Sequence, residues 1–185
     1  WIVTIVGLGV IGGAFAQSLK DIGVKAVYGI DIDENTLRKA EEKGMIDKGF
    51  IKTKEPLKEA DLVVITLYPN LMKSFFINNI ENFKSGAVIT DVVGIKGKII
   101  EEIRPIMEKS GKDIDFIFGH PMAGREKRGI DFADSNVFRK ANYIIIKDKY
   151  YYCYIYPKKT NFVLQLAFLI ENAPFLLINP RIYFC

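Results

Sequence analysis

Val6-Gly7-Leu8-Gly9-Val10-Ile11-Gly12-Gly13, entered from the apolar run Ile2-Val3-Thr4-Ile5, decides how the rest of this 185-residue chain is read. A β-branched stretch runs straight into a glycine-rich turn, and helix-forming residues from Ala14 to Leu19 follow. A G-x-G-x-x-G spacing between a strand and a helix is the arrangement that cradles a dinucleotide pyrophosphate. Gly7 permits the tight turn, Gly9 lacks a Cβ and so lets pyrophosphate reach the backbone, and Gly12 lets helix and strand pack closely. The free N–H groups and positive dipole end of the helix supply the anion site. Leu8, Val10 and Ile11 complete this cofactor-binding turn.

Outward from the turn, short apolar runs alternate with amphipathic stretches, the pattern of a parallel sheet wrapped by helices. Strands are expected at Ile2 to Val6, Ala26 to Ile30, Leu62 to Thr66, Ala87 to Thr90, Phe116 to Phe118 and Tyr143 to Ile146, with helices between them. The unbroken Leu62-Val63-Val64-Ile65 suits a strand buried on both faces. Asp33 reads as the N-cap of a helix beginning near Glu34, and Gly44 as its stop. The fold class is therefore α/β, a Rossmann-like doubly wound sheet, mainly parallel. Asp31, at the end of the second strand and 19 residues after Gly12, is placed to accept hydrogen bonds from the adenosine ribose. A carboxylate there repels a 2′-phosphate, so NAD is expected rather than NADP, with Asp33 and Arg38 close enough to alter the balance. Thr66, Leu67, Tyr68 and Pro69 end the third strand on the edge where such sheets bind ligands, and read either as a cofactor border or as an ordinary strand exit.

Composition excludes several classes. Residues 1–148 carry 22 Lys and Arg against 21 Asp and Glu, and most of the +4 net charge comes from Lys149, Lys158, Lys159 and Arg181 in the tail. No basic face gathers on the folded part, so nucleic acid is not an expected partner. Cys153 and Cys185 have no metal-ligand spacing, which predicts no metal. No basic residue precedes Lys20, which argues against a secretion signal, and Phe162 to Ile170 is far short of the ~20 apolar residues of a membrane span. A cytoplasmic protein is expected, without membrane attachment. The chain opens on Trp1 rather than Met, which predicts that residues precede it. Residues 1–148 read as one NAD-binding domain, whereas Tyr150 to Cys185 has few charges and no clean helical or strand period. Residues 149–185 are read as an atypical tail, either the first piece of a helical second domain or, as favoured here, an unnatural read-through.

His120 is the chain's one histidine and lies just past the fifth expected strand, in Phe118-Gly119-His120-Pro121-Met122-Ala123-Gly124-Arg125-Glu126. Imidazole is suited to general-base work near neutrality, and the ligand edge of the sheet is where a base belongs. The competing role is a histidine that satisfies loop backbone groups; the flanking Gly and Pro favour the base. A second loop, Asp91-Val92-Val93-Gly94-Ile95-Lys96-Gly97, precedes a helix expected near Lys98. Its N–H groups face a nicotinamide or a substrate carboxylate, or else Asp91 and Lys96 are merely capping and solvated charges.

With these residues in place, the chain resembles the N-terminal part of prephenate dehydrogenase, the oxidative decarboxylase of tyrosine biosynthesis. VGLGVIGG at Val6 to Gly13, TDVVGIK at Thr90 to Lys96 and GHPMAGRE at Gly119 to Glu126 carry the resemblance, the last most specifically, and it spans residues 2 to about 147. The resemblance implies an NAD-dependent oxidoreductase of aromatic amino acid biosynthesis that converts prephenate to 4-hydroxyphenylpyruvate and CO₂. It implies that His120 takes the 4-hydroxyl proton as hydride leaves, and that Glu126 stands at the pocket entrance. Gly94 occupies a place where the family often has serine, whose hydroxyl helps position histidine and substrate. Arg125 stands where the family often has a small polar residue, and is either a bidentate partner for a substrate carboxylate or a surface charge. Gly94, Lys96, Arg125 and Glu126 are the expected substrate-side residues.

The family's helical C-terminal domain makes a homodimer and supplies an arginine to prephenate, and nothing after Lys149 resembles it. The expectation is therefore a chain that binds NAD, turns over prephenate poorly, and does not form the family's dimer. Arogenate dehydrogenase and a non-catalytic NAD-binding module are the alternatives. Dehydrogenases of the β-hydroxyacid or imine-reducing kind share the glycine turn, but GHPMAGRE argues against them.

Overall fold

The computed structural model describes residues 1–124, 126–139, 141–147 and 152–156, with 146, 147 and 152–156 described by their backbone alone. Eight strands form one sheet: β1 (Ile2–Val6), β2 (Ala26–Ile30), β3 (Lys48–Phe50), β4 (Leu62–Ile65), β5 (Ala87–Asp91), β6 (Ile114–Pro121), β7 (Tyr143–Lys147) and β8 (Tyr152–Tyr156). Among the described residues five α-helices accompany them: α1 (Val10–Asp21), α2 (Glu34–Glu42), α3 (Lys54–Glu59), α4 (Pro69–Asn79) and α5 (Lys96–Ser110). The spatial order is β3-β2-β1-β4-β5-β6-β7-β8, parallel from β3 through β6 and antiparallel from β6 through β8. This is the doubly wound, Rossmann-like sheet that the alternating pattern predicts.

Burial follows from the two-residue period of a strand whose faces are both covered. Leu62 and Val64 of β4 enter a core with Ala14, Phe15 and Leu19 of α1 and Leu37 and Ala40 of α2. Val63 and Ile65 point the other way, into a core with Leu57 of α3, Met72 and Phe76 of α4 and Ile99, Ile100 and Ile103 of α5. The segment after β6 closes over α1 through two short 3-10 turns, Ile130–Phe132 and Ser135–Phe138, and Phe138 lies with its ring centroid 4.8 Å from that of Phe15. Local signals hold where they were specific. Asp33 caps α2 by accepting from the N–H groups of Asn35 and Thr36, and Gly44 leaves the helix with φ +66°.

Four expectations change. β3 is a strand that three residues, Lys48-Gly49-Phe50, are too short to announce by alternation. Its Gly49 N–H donates to the Glu41 carboxylate of α2 at 2.6 Å. β6 runs on to Pro121, so His120 lies inside a strand and not past it. The reason is β7, which pairs antiparallel with Ile117 to Pro121 after β5 has ended. Helix α5 begins at Lys96, two residues before the expected start. β8 forms in a stretch without visible period, because Tyr152-Cys153-Tyr154-Ile155-Tyr156 is apolar or aromatic at every position and has no alternation to read. Of the proposed boundary at residue 148 and the tail beyond it, all but Tyr152–Tyr156 lies outside the described residues. Among the described residues no helix is long and apolar enough to cross a membrane.

Two outcomes test this packing. A Cβ at Gly12 would collide with the Gly7 carbonyl oxygen and lie 2.7 Å from Thr66 Oγ1. Gly12→Ala is expected to lower unfolding free energy by about 1–3 kcal/mol in urea titrations. Asp131 accepts from Lys39 at 2.5 Å and Lys43 at 2.8 Å, and these two ammonium groups hold its carboxyl down at about 2. Because the folded state lowers this pKa, the contribution is present above the ordinary carboxylate range and fades as pH falls toward 2. The melting-temperature difference between the protein and Asp131→Asn should therefore be small, shrink below about pH 4 and shrink again in high salt, since the pair is exposed.

Candidate functional site

The chain leaves β1 toward one face of the sheet and β4 toward the other, which opens a crevice between the carboxyl ends of these two neighbouring strands. Gly7 turns there with φ +91°, and its N–H donates to the Ile30 carbonyl at 2.8 Å. Thr66, the residue after β4, donates its hydroxyl to the carbonyls of Val6 and Gly7, at 2.9 and 2.5 Å. This side chain ties the strand exit to the glycine turn. Thr66 is expected from the sequence only as part of the strand exit that borders the cofactor; its tie to the glycine turn depends on β1 lying beside β4, which no local signal announces.

Gly9 stands at the head of α1 with open space where a Cβ would be, and no side chain caps the helix. The N-terminal N–H groups of α1 and the space over Gly9 fit the pyrophosphate of a dinucleotide. Leu8 and Val10 are buried and Ile11 partly so, so these residues offer main chain rather than side chain to a ligand. The Asp31 carboxylate accepts from Leu8 N–H at 2.7 Å and from Asp33 N–H at 3.0 Å, which locks it at the tip of β2. Arg38 turns away along α2, its guanidinium bonded to Glu42 at 2.6 Å and Asn35 at 2.7 Å. Leu67 is half-buried, while Tyr68 and Pro69 are exposed at the head of α4, on the same edge of the sheet.

His120 lies two strands farther along that edge. Its Nδ1 stands 3.1 Å from the carbonyl oxygen of Val92. A carbonyl only accepts, so the bond requires a proton on Nδ1 and, in the neutral ring, leaves a lone pair on Nε2. Gly94 faces the ring: a Cβ there would come within 3.4 Å of Cε1 and 3.6 Å of Nε2. Glu126 is exposed on the segment beyond β6, and Arg125 lies outside the described residues. Ile95, next to Gly94, and Met122, two residues after His120, are exposed apolar side chains.

Behind the histidine lies a buried polar cluster. Asp91 is fully buried, and its carboxylate accepts from Lys96 Nζ at 2.5 Å, Val93 N–H at 2.9 Å and Gly119 N–H at 3.2 Å. Lys96 also donates to the Gly119 carbonyl. Desolvation pushes the Asp91 carboxyl up and the Lys96 ammonium down, against an ion pair and hydrogen bonds that favour both charged forms. Asp91 and Lys96 are thus neither capping nor solvated charges: the side chain of Lys96 is 9% exposed and points inward. Beside Gly119 lies the buried Tyr143, whose pKa is raised by burial.

Comparison with known proteins agrees with this architecture. Residues 15–151 match the family described as "Prephenate dehydrogenase, nucleotide-binding domain". The prephenate dehydrogenase of Lactococcus lactis is 32% identical over 149 residues, covering 79% of this chain and 41% of that protein. The crystal structure of prephenate dehydrogenase from Aquifex aeolicus in complex with hydroxyphenyl propionate and NAD⁺ superposes with a TM-score of 0.73 at 28% identity, over 91% of this chain and 55% of that one. The arogenate dehydrogenase of Synechocystis gives the same TM-score of 0.73 at 27% identity, over 100% of this chain and 59% of that one. The chain thus spans about two fifths of the length of the L. lactis enzyme that it matches. By the family match across most of its length, the chain belongs to the prephenate dehydrogenase family, of which it carries the nucleotide-binding domain.

Proposed function

We propose that this chain holds NAD⁺ in the crevice between β1 and β4 and belongs to an enzyme that oxidatively decarboxylates prephenate to 4-hydroxyphenylpyruvate. The observation that carries the proposal is His120, with Nδ1 on the Val92 carbonyl and Nε2 left for substrate, on the sheet edge that also bears the glycine turn. NAD⁺ bound there supplies the hydride acceptor. Gly7, Gly9 and Gly12, with the main chain of Leu8, Val10 and Ile11, hold its phosphates, and Leu67, Tyr68 and Pro69 border it. Asp31 takes the adenosine ribose; a carboxylate keeps lone pairs for two hydroxyls beyond the N–H groups it already accepts. The commitment of Arg38 to Glu42 and Asn35 favours NAD⁺ over its 2′-phosphorylated form.

On the substrate side, Nε2 of His120 accepts the proton of the 4-hydroxyl while the carbon bearing it loses hydride. The ring carboxylate then departs as CO₂, and the electrons of the broken bond make the ring aromatic. Gly94 leaves room beside the imidazole for the substrate hydroxyl, Glu126 borders the pocket entrance, and Arg125 is the candidate partner for a substrate carboxylate. Arogenate, which differs in its side-chain amino group, is the second reading, favoured by the coverage of the whole chain by the Synechocystis enzyme's fold.

NADH absorbance with prephenate and with arogenate tests the proposal, beside NAD⁺ titration by protein fluorescence. Slow NADH formation is expected with prephenate, in preference to arogenate. His120→Asn is expected to keep NAD⁺ affinity within about twofold and to lower turnover by roughly 10²–10⁴-fold, the usual contribution of a general base. Turnover unchanged in His120→Asn would remove the histidine from the chemistry. Tight NAD⁺ binding with no NADH from either substrate would leave a nucleotide-binding module.

A further inference from the structure

We infer that Asp91 and Lys96 are positioning residues for His120: their buried ion pair holds the imidazole and its carbonyl acceptor in one geometry and thereby sets the Nδ1–H tautomer. The inference rests on the reading of His120 as the base. Its ground is where the hydrogen bonds of one carboxylate go. Oδ1 of Asp91 accepts from Gly119 N–H at 3.2 Å, on the peptide unit next to the one that carries the imidazole. Oδ2 accepts from Val93 N–H at 2.9 Å, and that peptide bond is the one whose carbonyl, Val92 O, receives Nδ1–H of His120. Lys96 Nζ bridges the same Oδ2 and the carbonyl of Gly119. Both polar groups of Gly119, the residue preceding the histidine, are thus clamped by this pair, and so is the peptide that accepts from the ring.

Strand pairing alone does not do this. β5 pairs with β6 only as far as Thr90 and Ile117, and beyond that register the side of β6 that faces β5 has no strand partner. The Asp91 carboxylate supplies the missing connection across the gap. The close approach of β6 to β5 here depends on Gly119, where a Cβ would collide with the Tyr143 hydroxyl and lie 2.9 Å from the Asp91 carbonyl oxygen. A neutral imidazole free in water prefers the proton on Nε2, so holding it on Nδ1 requires the Val92 carbonyl to stay in place. An imidazole with Nε2–H would present a donor to the substrate hydroxyl and could not accept its proton.

The chain's single histidine makes this measurable without turnover, because one imidazole spin system appears in long-range ¹H–¹⁵N spectra of the labelled full chain. At about pH 9, where an ordinary imidazole is neutral, the protein is expected to show Nδ1 protonated and Nε2 bare. Lys96→Met, which keeps the apolar stem as far as Cε and removes the ammonium, is expected to move the ratio toward Nε2–H by about three- to tenfold, the weight of one hydrogen bond. Affinity for NAD⁺ should stay unchanged. Should the Met variant not fold, Lys96→Gln, one bond shorter and without the reach to Gly119, is expected to shift the ratio in the same direction. A wild-type imidazole protonated on Nε2, or a folded variant with the wild-type ratio, overturns the inference; a merely structural pair would lower unfolding stability and leave the ratio alone. Failure of His120 as the base would appear separately, as turnover that survives His120→Asn.

Discussion

The pairing of β1 with β4, Val6 beside Ile65, is the constraint on which the rest of the molecule depends. Two parallel neighbours must send their following helices somewhere, and here α1 goes to one face and α4 to the other. The parting leaves carbonyls and N–H groups at the strand ends with no regular partner, and Thr66 resolves the conflict by donating to both Val6 and Gly7. The glycine turn, the open space over Gly9 and the exposed head of α1 follow from that arrangement. A nucleotide site is thus the natural use of a gap that the topology has already made.

The chemical end of the site obeys a different logic. Between β1 and β4 the polar groups are backbone and stay open, as suits a ligand bound by N–H dipoles. Between β5 and β6 they are charged and sealed, as suits a side chain that has to keep one orientation. Taking Asp91 and Lys96 out of water costs free energy that their mutual attraction offsets only with good geometry. Specificity of placement is a common return for that cost, and the fan of donors on the Asp91 carboxylate has the geometry for it.

Much of this was legible in the residues. Strands β1, β2, β4, β5 and β7 announce themselves through apolar runs of four or five, and Asp33 and Gly44 bound α2 by their local chemistry. The proximity of the glycine turn to Asp31 was legible because both ends of that contact lie in one βαβ unit. What stayed hidden depends on partners distant in the chain. His120 is drawn into β6 by β7, more than twenty residues later, and Thr66 matters only because β1 lies beside β4. The sequence leaves Asp91 and Lys96 open between a ligand-facing loop and capping or solvated charges, because nothing local tells a buried lysine from a solvated one; the depth of β5 decides it.

The outer edge of β3 would be a ready template for a strand of another chain, since a parallel sheet that ends in bare N–H groups invites extension. Glu41 reaches over from α2 and takes the Gly49 N–H, and a strand of only three residues leaves little else to pair with. A carboxylate at that position also repels the electron-rich carbonyls of any incoming backbone. The contact that finishes this edge of the sheet therefore also denies an incoming strand the Gly49 N–H it would pair with.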